Sequence, residues 1–245
     1  MKVLVCISNV PDTTTKVSFT ENNTKFNTQG VQFIINPYDE LALTRALELT
    51  EKQGGTVTVI NVGLIDTEPS IRKALAIGAT DAVRINAEPV DAYFVAEQIA
   101  NYAKTEGFDL ILTGRESIDY NGGMVSGLLG EMMGLPSIHV ITSIEIENGI
   151  GKLERDIDGG REKLEVNTPF VASAQKELTE PRIPNMRGIM AARTKPLKVV
   201  EPLAAQAPSQ TVFFELPAAK GACKMISVED AGSLIGLLHN EAKVI

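Results

Sequence analysis

The stretch FDLILTGRESIDYNGGMVSGLLGEMMG, residues 108–134 of this 245-residue chain, leads the prediction of the fold. FDLILTG is a short, continuous apolar run, which is typical of a strand buried on both faces of a parallel sheet. A polar loop follows, and Gly122 and Gly123 open a segment with helical apolar spacing. A buried strand, a loop and a helix form the repeating unit of a doubly wound α/β protein.

The same unit recurs along the first 146 residues. Strands are predicted at 2–8, 56–62, 81–85 and 137–146, and helices at 37–53, 67–77, 90–105 and 123–133. A small surface hairpin is predicted near 16–28. Strands that alternate with helices of this length imply right-handed crossovers and a parallel sheet covered on both faces. The predicted fold is therefore α/β, with a doubly wound, mainly parallel, Rossmann-like sheet.

After residue 146 the pattern changes. KLERDID, GG and REKLEVN predict a β-hairpin over 152–167, as an addition to an α/β domain over 1–179. Residues 180–202 hold four prolines and five basic side chains, and a last helix is predicted near 227–242. Residues 180–245 are therefore predicted to form a docking loop and an extended C-terminal arm. Such an arm buries little surface against its own domain, so we expect it to lie on another protein.

The composition excludes several classes of partner. The formal net charge is -8 and there is no tryptophan, so a nucleic acid is a poor ligand. No apolar run approaches the roughly 18 residues of a membrane helix. Residues 1–12 indicate a first strand and no signal peptide, and the two cysteines indicate no disulfide framework, so we expect a cytoplasmic location. His139 and His239 stand apart from other metal-ligand residues, and no metal site is predicted.

The glycines of the 115–124 loop are the best candidates for a binding site. The sequence lacks a nucleophile elbow, a Walker A motif and a dinucleotide glycine fingerprint, and the turn after the first strand has no glycine. Gly122 and Gly123 instead precede a helix, whose free backbone N–H groups can bind the phosphate of a mononucleotide. From this motif alone, a tight turn without a ligand explains the glycines equally well.

Three further segments are predicted at the same edge of the sheet. Residues 6–8 end the first strand, Asn36 and Pro37 precede a helix, and Val62 and Gly63 end the second long strand. Each alone is more often explained by packing or by a turn. Their common location at the carboxyl ends of parallel strands favours a ligand site.

Several of these segments resemble successive blocks of electron-transfer flavoprotein β subunits. They are residues 36–40 (NPYDE), 71–79 (IRKALAIGA) and 114–119 (GRESID). Residues 155–164 (RDIDGGREKL), followed by 169–172 (PFVA), resemble the signature hairpin of that family. Glu180, Pro181 and Arg182 then lead into a stretch similar to its partner-docking loop. The blocks span most of residues 3–200 in the order of the family.

The resemblance implies a heterodimer whose α-type subunit holds most of the redox-active FAD. Electrons would pass from flavin dehydrogenases, such as the acyl-CoA dehydrogenases of fatty acid oxidation, to a quinone reductase or another acceptor. This chain would be no enzyme by itself and would bind AMP without a redox role. By position, the AMP contacts would be Cys6, Asn36, Pro37, Tyr38, Asp39, Val62, Gly63, Glu116, Ser117, Ile118, Asp119, Asn121, Gly122, Gly123 and Met124.

The resemblance also assigns residues outside the nucleotide pocket. Glu162 matches an acidic residue that helps to hold the mobile flavin domain, although it could simply pair with Arg155 across the hairpin. Met186, together with Ile189 and Met190, occupies the place of an apolar anchor for a partner dehydrogenase, although Met186 could also pack on its own domain.

One difference from the family leaves the ligand open. The loop after Asp119 is shorter than in many relatives, so AMP, a second FAD of a bifurcating type, or no nucleotide remain alternatives. A stand-alone adenine-nucleotide-binding protein is a rival interpretation, but it would not need the hairpin or the arm. A hydrolase or synthetase would need a catalytic histidine or a basic phosphate cluster, which the sequence lacks.

Overall fold

The alternation of strands and helices is present in a computed structural model that describes residues 1–245. The strands are β1 (Lys2–Cys6), β2 (Asn9–Pro11), β3 (Phe19–Thr20), β4 (Lys25–Phe26), β5 (Phe33–Ile35), β6 (Thr56–Val62), β7 (Asp81–Ile85), β8 (Leu110–Gly114), β9 (Ser137–Glu147), β10 (Ile150–Ile157), β11 (Gly160–Asn167), β12 (Phe170–Ala174) and β13 (Leu197–Val200). The helices are α1 (Pro37–Gln53), α2 (Glu68–Ile77), α3 (Ala92–Glu106), α4 (Val125–Met133), α5 (Met186–Ala192) and α6 (Ser233–Leu237).

Nine of the strands form one sheet in the order β11-β10-β9-β12-β8-β1-β6-β7-β13. The strands from β9 to β13 in this order are all parallel, and β10 and β11 extend the sheet as an antiparallel hairpin beyond β9. The helices cover both faces of this sheet. The prediction of a doubly wound α/β fold is confirmed.

The central strand β1 shows why its sequence is a continuous apolar run. Val3 and Val5 belong to the core beneath α1 and α2, whereas Leu4 and Cys6 belong to the core beneath α3 and α4. Successive side chains of a strand point to opposite faces. A strand with a helical layer on each face therefore needs an apolar residue at every position, and the usual polar–apolar alternation is lost.

The added hairpin lies at the outer end of the sheet. Strands β10 and β11 are joined by a turn at Asp158 and Gly159, and Gly159 has a φ of 81°, a conformation that favours glycine. Arg155 Nε donates a hydrogen bond to Glu162 Oε2 at 2.6 Å across the two strands. The predicted hairpin is therefore present, and the small hairpin predicted near 16–28 appears as β3 and β4.

The first part of the arm differs from the sequence-based expectation, because it packs on its own domain. Lys195 Nζ donates to the carbonyl oxygens of Leu75 and Ala79, at 2.9 and 2.6 Å, and β13 pairs with β7. Arg72 Nη1 donates to Ala192 O at 2.8 Å. Carbonyl groups at a helix C-terminus lack intrahelical partners. Lys195, which looked available for another protein, therefore satisfies carbonyl groups at the end of α2, and Arg72 of α2 satisfies the end of α5.

The last part of the arm was predicted as one helix near 227–242, and this prediction is only partly right. The structure has three short helical segments there, Val228–Asp230, Ser233–Leu237 and Leu238–Ala242. Gly232 and Gly236 fall within this stretch, and no residue of these segments is buried. Glycine lowers helix stability, and a short helix without tertiary packing gains little to offset this.

A substitution at Gly188 tests the packing of α5 on α2. A Cβ atom at this position would overlap the carbonyl oxygen of Ala76. We expect Gly188→Ala to destabilise the protein by about 1–3 kcal/mol through overpacking, although alanine is the better helix former. Thermal unfolding measures the effect. Gly232→Ala is the control, since nothing lies within 4 Å of its Cβ position, and an equal response of the two variants would contradict the contact.

Candidate functional site

The topology defines one edge of the sheet as the place for a ligand. Strand β1 lies between β6 and β8, because the chain runs from β1 through β6 to β7 and then returns to β8 on the other side of β1. The carboxyl ends of two parallel strands therefore meet at a point where the winding direction reverses. Open α/β sheets bind their ligands in the crevice outside such a point.

Asn36 joins three segments at this edge. Its backbone N–H donates to Ser8 O at 3.0 Å, and its side-chain Nδ2 donates to Glu116 O at 2.8 Å. Its Oδ1 accepts from the backbone N–H of Ile118 at 3.3 Å. The sequence suggested a turn or a helix cap, but the side chain makes no capping bond to α1. Asn36 instead fixes the base of the 115–124 loop against the start of α1.

The carboxylate of Asp39 links the ends of β1 and β8. Its Oδ2 accepts from the N–H and the hydroxyl of Ser8, both at 2.7 Å, and its Oδ1 accepts from the N–H of Gly114 at 2.9 Å. Any Cβ at Gly114 would overlap Oδ1, so glycine is required for this approach. No cation pairs with Asp39. Burial therefore raises its pKa to about 6, against the lowering effect of its hydrogen bonds.

Cys6 lies beneath this link as the last residue of β1. It is buried, and desolvation together with the nearby charge of Asp39 raises the pKa of its thiol. A thiol held in the protonated form is a poor nucleophile. Cys6 can therefore line a pocket through its backbone and its van der Waals surface.

Val62 and Gly63 end β6 on the other side of β1. Arg84 Nη1 donates to Gly63 O at 3.0 Å, and this arginine is almost wholly buried. Asn61 Nδ2 donates to Ile7 O at 2.9 Å, while Asn61 Oδ1 is buried and has no hydrogen-bond partner. Sequence reasoning missed Asn61 and Arg84. The signal available for both was a polar side chain inside an otherwise apolar strand.

The 115–124 loop closes on itself before α4. The N–H of Ser117 donates to Gly122 O at 2.9 Å, and the ring of Tyr120 lies directly against Gly122. Asn121 has a φ of 56°, in the left-handed region. Side chains later in the loop are exposed, including those of Asp119, Asn121 and Met124.

The first turn of α4 is suited to an anion. No side chain caps it, and no acidic residue lies in its first turn. Its N–H groups and the positive end of the helix dipole therefore face the loop without a protein partner. The nearby Arg115 is already engaged, since Nη2 contacts Glu116 Oε2 at 3.0 Å and the guanidinium lies over the ring of Tyr38.

The structure thus brings the predicted nucleotide residues to one edge and leaves the other candidates apart. Glu162 is on β11, the outermost strand of the sheet, where Arg155 contacts it. Met186, Ile189 and Met190 are exposed on α5, away from the face that packs on α2. No group of three or more His, Cys, Asp or Glu is placed to hold a metal ion, and no helix has both the length and the apolar character for a membrane span.

The fold and this edge define a doubly wound, Rossmann-like α/β protein. Residues 23–205 match the family profile of the electron transfer flavoprotein domain. The chain is 38% identical to electron transfer flavoprotein subunit beta of Bacillus subtilis (strain 168), with the whole of both chains aligned. It is 36% identical to the subunit of that name from Syntrophomonas wolfei, over 100% of this chain and 98% of the relative. The chain belongs to the electron-transfer flavoprotein family, among its β subunits, which confirms the resemblance.

The buried Asp39 predicts a pH dependence of stability. Its pKa of about 6 in the folded protein lies above the ordinary 3.8, so the folded state binds its proton more tightly. The associated stability is present below about pH 4 and is lost as the pH rises through 6, with a total of about 3 kcal/mol. We expect the stability of the protein relative to Asp39→Asn to fall between pH 4 and 7. Denaturant unfolding across this range measures it, and a constant difference would contradict the assignment.

Proposed function

We propose that this chain is the β subunit of a heterodimeric electron-transfer flavoprotein. It pairs with an α-type subunit that holds most of the FAD, and it binds AMP in a structural role. The heterodimer carries electrons from flavin dehydrogenases, here acyl-CoA dehydrogenases, to a quinone reductase or a similar acceptor. The main observation behind the proposal is at this edge of the sheet. Asn36 and Asp39 hydrogen-bond to the end of β8 and to the 115–124 loop. Beside them, no side chain caps the N-terminal backbone N–H groups of α4.

The donor set at this edge supports a nucleoside monophosphate. One phosphate needs one anion site, and the first turn of α4 with Gly122 and Gly123 supplies it. The second phosphate of a dinucleotide would need another cation, but Arg115 is already paired with Glu116. Asn61 Oδ1 is a buried acceptor that lacks a donor, and the amine of an adenine base is a donor of the required kind.

In this proposal the chain contributes binding and positioning to electron transfer. FAD supplies the redox chemistry when it is bound to the α-type partner. Glu162 would help to hold the flavin domain by leaving its ion pair with Arg155 and forming one with a basic side chain of that domain. A partly exposed ion pair such as this one contributes little to stability, so the exchange costs little.

The exposed face of α5 supports a role in docking. Met186 is 73% exposed and Met190 is 69% exposed, next to Ile183 at 86%. Apolar side chains grouped on a surface mark an interaction site more often than isolated ones do. Methionine adapts to irregular pockets, which suits a surface that several dehydrogenases must recognise. Gly188 packs against the backbone of Ala76, and Lys195 donates to Leu75 O, so the opposite side of α5 is fixed to α2. The exposed apolar face of α5 therefore has a defined position.

Co-expression with an α-type subunit tests the proposal. We expect the chain alone to lack stoichiometric flavin, and the heterodimer to hold one FAD and one AMP. Absorbance measures the flavin, and mass spectrometry identifies the nucleotides released on denaturation. Stoichiometric FAD on the isolated chain would favour a bifurcating type, and a chain without any nucleotide would favour a pure interaction subunit.

Asn36→Ala, compared with the exposed Asn101→Ala, refines the same test. Loss of the Asn36 side chain frees the loop from the backbone of Glu116 and Ile118. We expect AMP affinity to fall roughly tenfold for Asn36→Ala, as for two lost hydrogen bonds, while Asn101→Ala retains it. The FAD content of the heterodimer should stay the same in both variants.

Substitution of Met186 tests docking separately from flavin binding. We expect Met186→Ala to raise the KM of the heterodimer for a partner dehydrogenase roughly tenfold, as for loss of an interface anchor, with no change in FAD content. Met225→Ala is the matched control, because Met225 is 85% exposed but lies far along the arm. Equal KM values for the two variants would contradict the docking role of α5.

A further inference from the structure

The chain that leads into α5 is fastened to α1. Leu178 is buried in the core beneath α1 and α2, and the hydroxyl of the next residue, Thr179, donates to Glu48 Oε1 at 2.8 Å. Three residues later, the backbone N–H of Arg182 donates to Thr44 Oγ1 at 3.0 Å. Thr44 and Glu48 lie one turn apart on α1, so the chain between these two contacts runs along this helix.

The side chain of Arg182 adds an ion pair with Glu51, further along α1. Its Nη1 donates to Oε1 at 2.7 Å and its Nη2 donates to Oε2 at 3.0 Å, so both oxygens of the carboxylate are engaged. A bidentate pair of this kind fixes the direction as well as the distance between the two groups. Both side chains reach solvent, at 33% and 59% exposure, so the pair adds little to the stability of the whole fold. Its effect is local, on the backbone at Arg182.

The segment after Arg182 is held from its other end by α5. Asn185 caps this helix, since its Oδ1 accepts from the N–H of Gly188 at 2.8 Å, and Gly188 packs against the backbone of α2. Ile183 and Pro184 are the residues between the two supports, and the ring of Pro184 fixes its own φ angle. The backbone on both sides of Ile183 is therefore restrained.

The side chain of Ile183 has no such restraint and extends into solvent. It is 86% exposed, more than Met186 or any other large apolar residue of the 180–200 segment. An apolar side chain gains free energy when a partner buries it, but ordering a mobile loop offsets part of this gain. Because the backbone beside Ile183 is already fixed, a partner that buries this side chain has little ordering to offset.

We propose that the ion pair of Arg182 with Glu51 is a positioning element of the docking surface, and that it acts by fixing Ile183. The inference rests on the proposed docking role of the exposed apolar residues at 183–190. The two charged residues touch no partner themselves. While the pair is closed, Ile183 is presented to an apolar pocket of a partner dehydrogenase. When the pair is open, the chain at Arg182 is freer, and binding has to order it again.

Glu51→Gln in the complete heterodimer tests the pair, with an acyl-CoA dehydrogenase as the partner. We expect the KM for this dehydrogenase to rise about threefold to fivefold, the range for loss of a well-aligned surface ion pair, while kcat and FAD content stay the same. Glu147→Gln is the matched control, because it also removes one charge from an exposed ion pair, with Lys152 at the start of the added hairpin. Its KM should equal that of the unaltered protein.

Two double variants distinguish positioning from a general effect of charge. Glu51→Arg combined with Arg182→Glu restores the ion pair with its charges reversed, and the KM should return toward the unaltered value. Ile183→Ala alone should raise the KM, and Glu51→Gln added to it should have little further effect, because the pair then has no side chain to position. A full additional rise in KM would contradict action through Ile183.

Hydrogen exchange at the Arg182 amide gives a readout that does not depend on a partner. This amide should exchange faster in Glu51→Gln than in the unaltered chain, and unchanged protection would overturn the positioning role. If Met186→Ala and Ile183→Ala both leave the KM unchanged, the docking surface fails together with its positioning. If they raise the KM while Glu51→Gln behaves like Glu147→Gln, the positioning role alone is rejected.

Discussion

The carboxylate of Asp39, buried without a cation, is the interaction on which the candidate site depends. It accepts hydrogen bonds from Ser8 at the end of β1 and from Gly114 at the end of β8, and it lies in the first turn of α1. A buried charge is costly unless backbone and side-chain donors surround it. Those donors exist only when two strands and one helix are in register. The same contacts that satisfy Asp39 therefore hold the two strand ends beside each other.

The hydrogen bonds of Asp39 fix the ends of β1 and β8, whereas other parts of this edge have fewer contacts. Asn36 extends the fixed part to the base of the 115–124 loop, whose tip beyond Asp119 is exposed. The arm attaches through side chains to backbone groups, at Gln98 and Asp91, and through one aromatic stack. Most of residues 203–214 are exposed, so few apolar contacts hold the arm, and its local opening costs less free energy than opening of the packed core.

Much of the architecture could be predicted because its signals are local. The apolar runs of the parallel strands, the helical spacing between them and the Gly-Gly turn of the hairpin each depend on a few neighbouring residues. The arm could not be predicted in this way. Lys195 looked like a surface charge, yet its partners are carbonyl groups about 120 positions earlier in the chain, at the end of α2. Asn36 looked like a cap and instead bonds the backbone of a loop 80 residues away.

The sequence by itself determined the class of fold, the succession of strands and helices along the chain, the hairpin and the family, because hydrophobic periodicity and turn chemistry are properties of short segments. Only the tertiary structure decided which polar residues meet. It brought Asp39 to Gly114, joined Asn36 to the backbone of the 115–124 loop, and folded residues 180–200 back onto α2 and β7. Contacts between distant segments depend on the order of the strands in the sheet and on which buried polar groups lack a hydrogen-bond partner. Neither can be read from any one stretch of the chain.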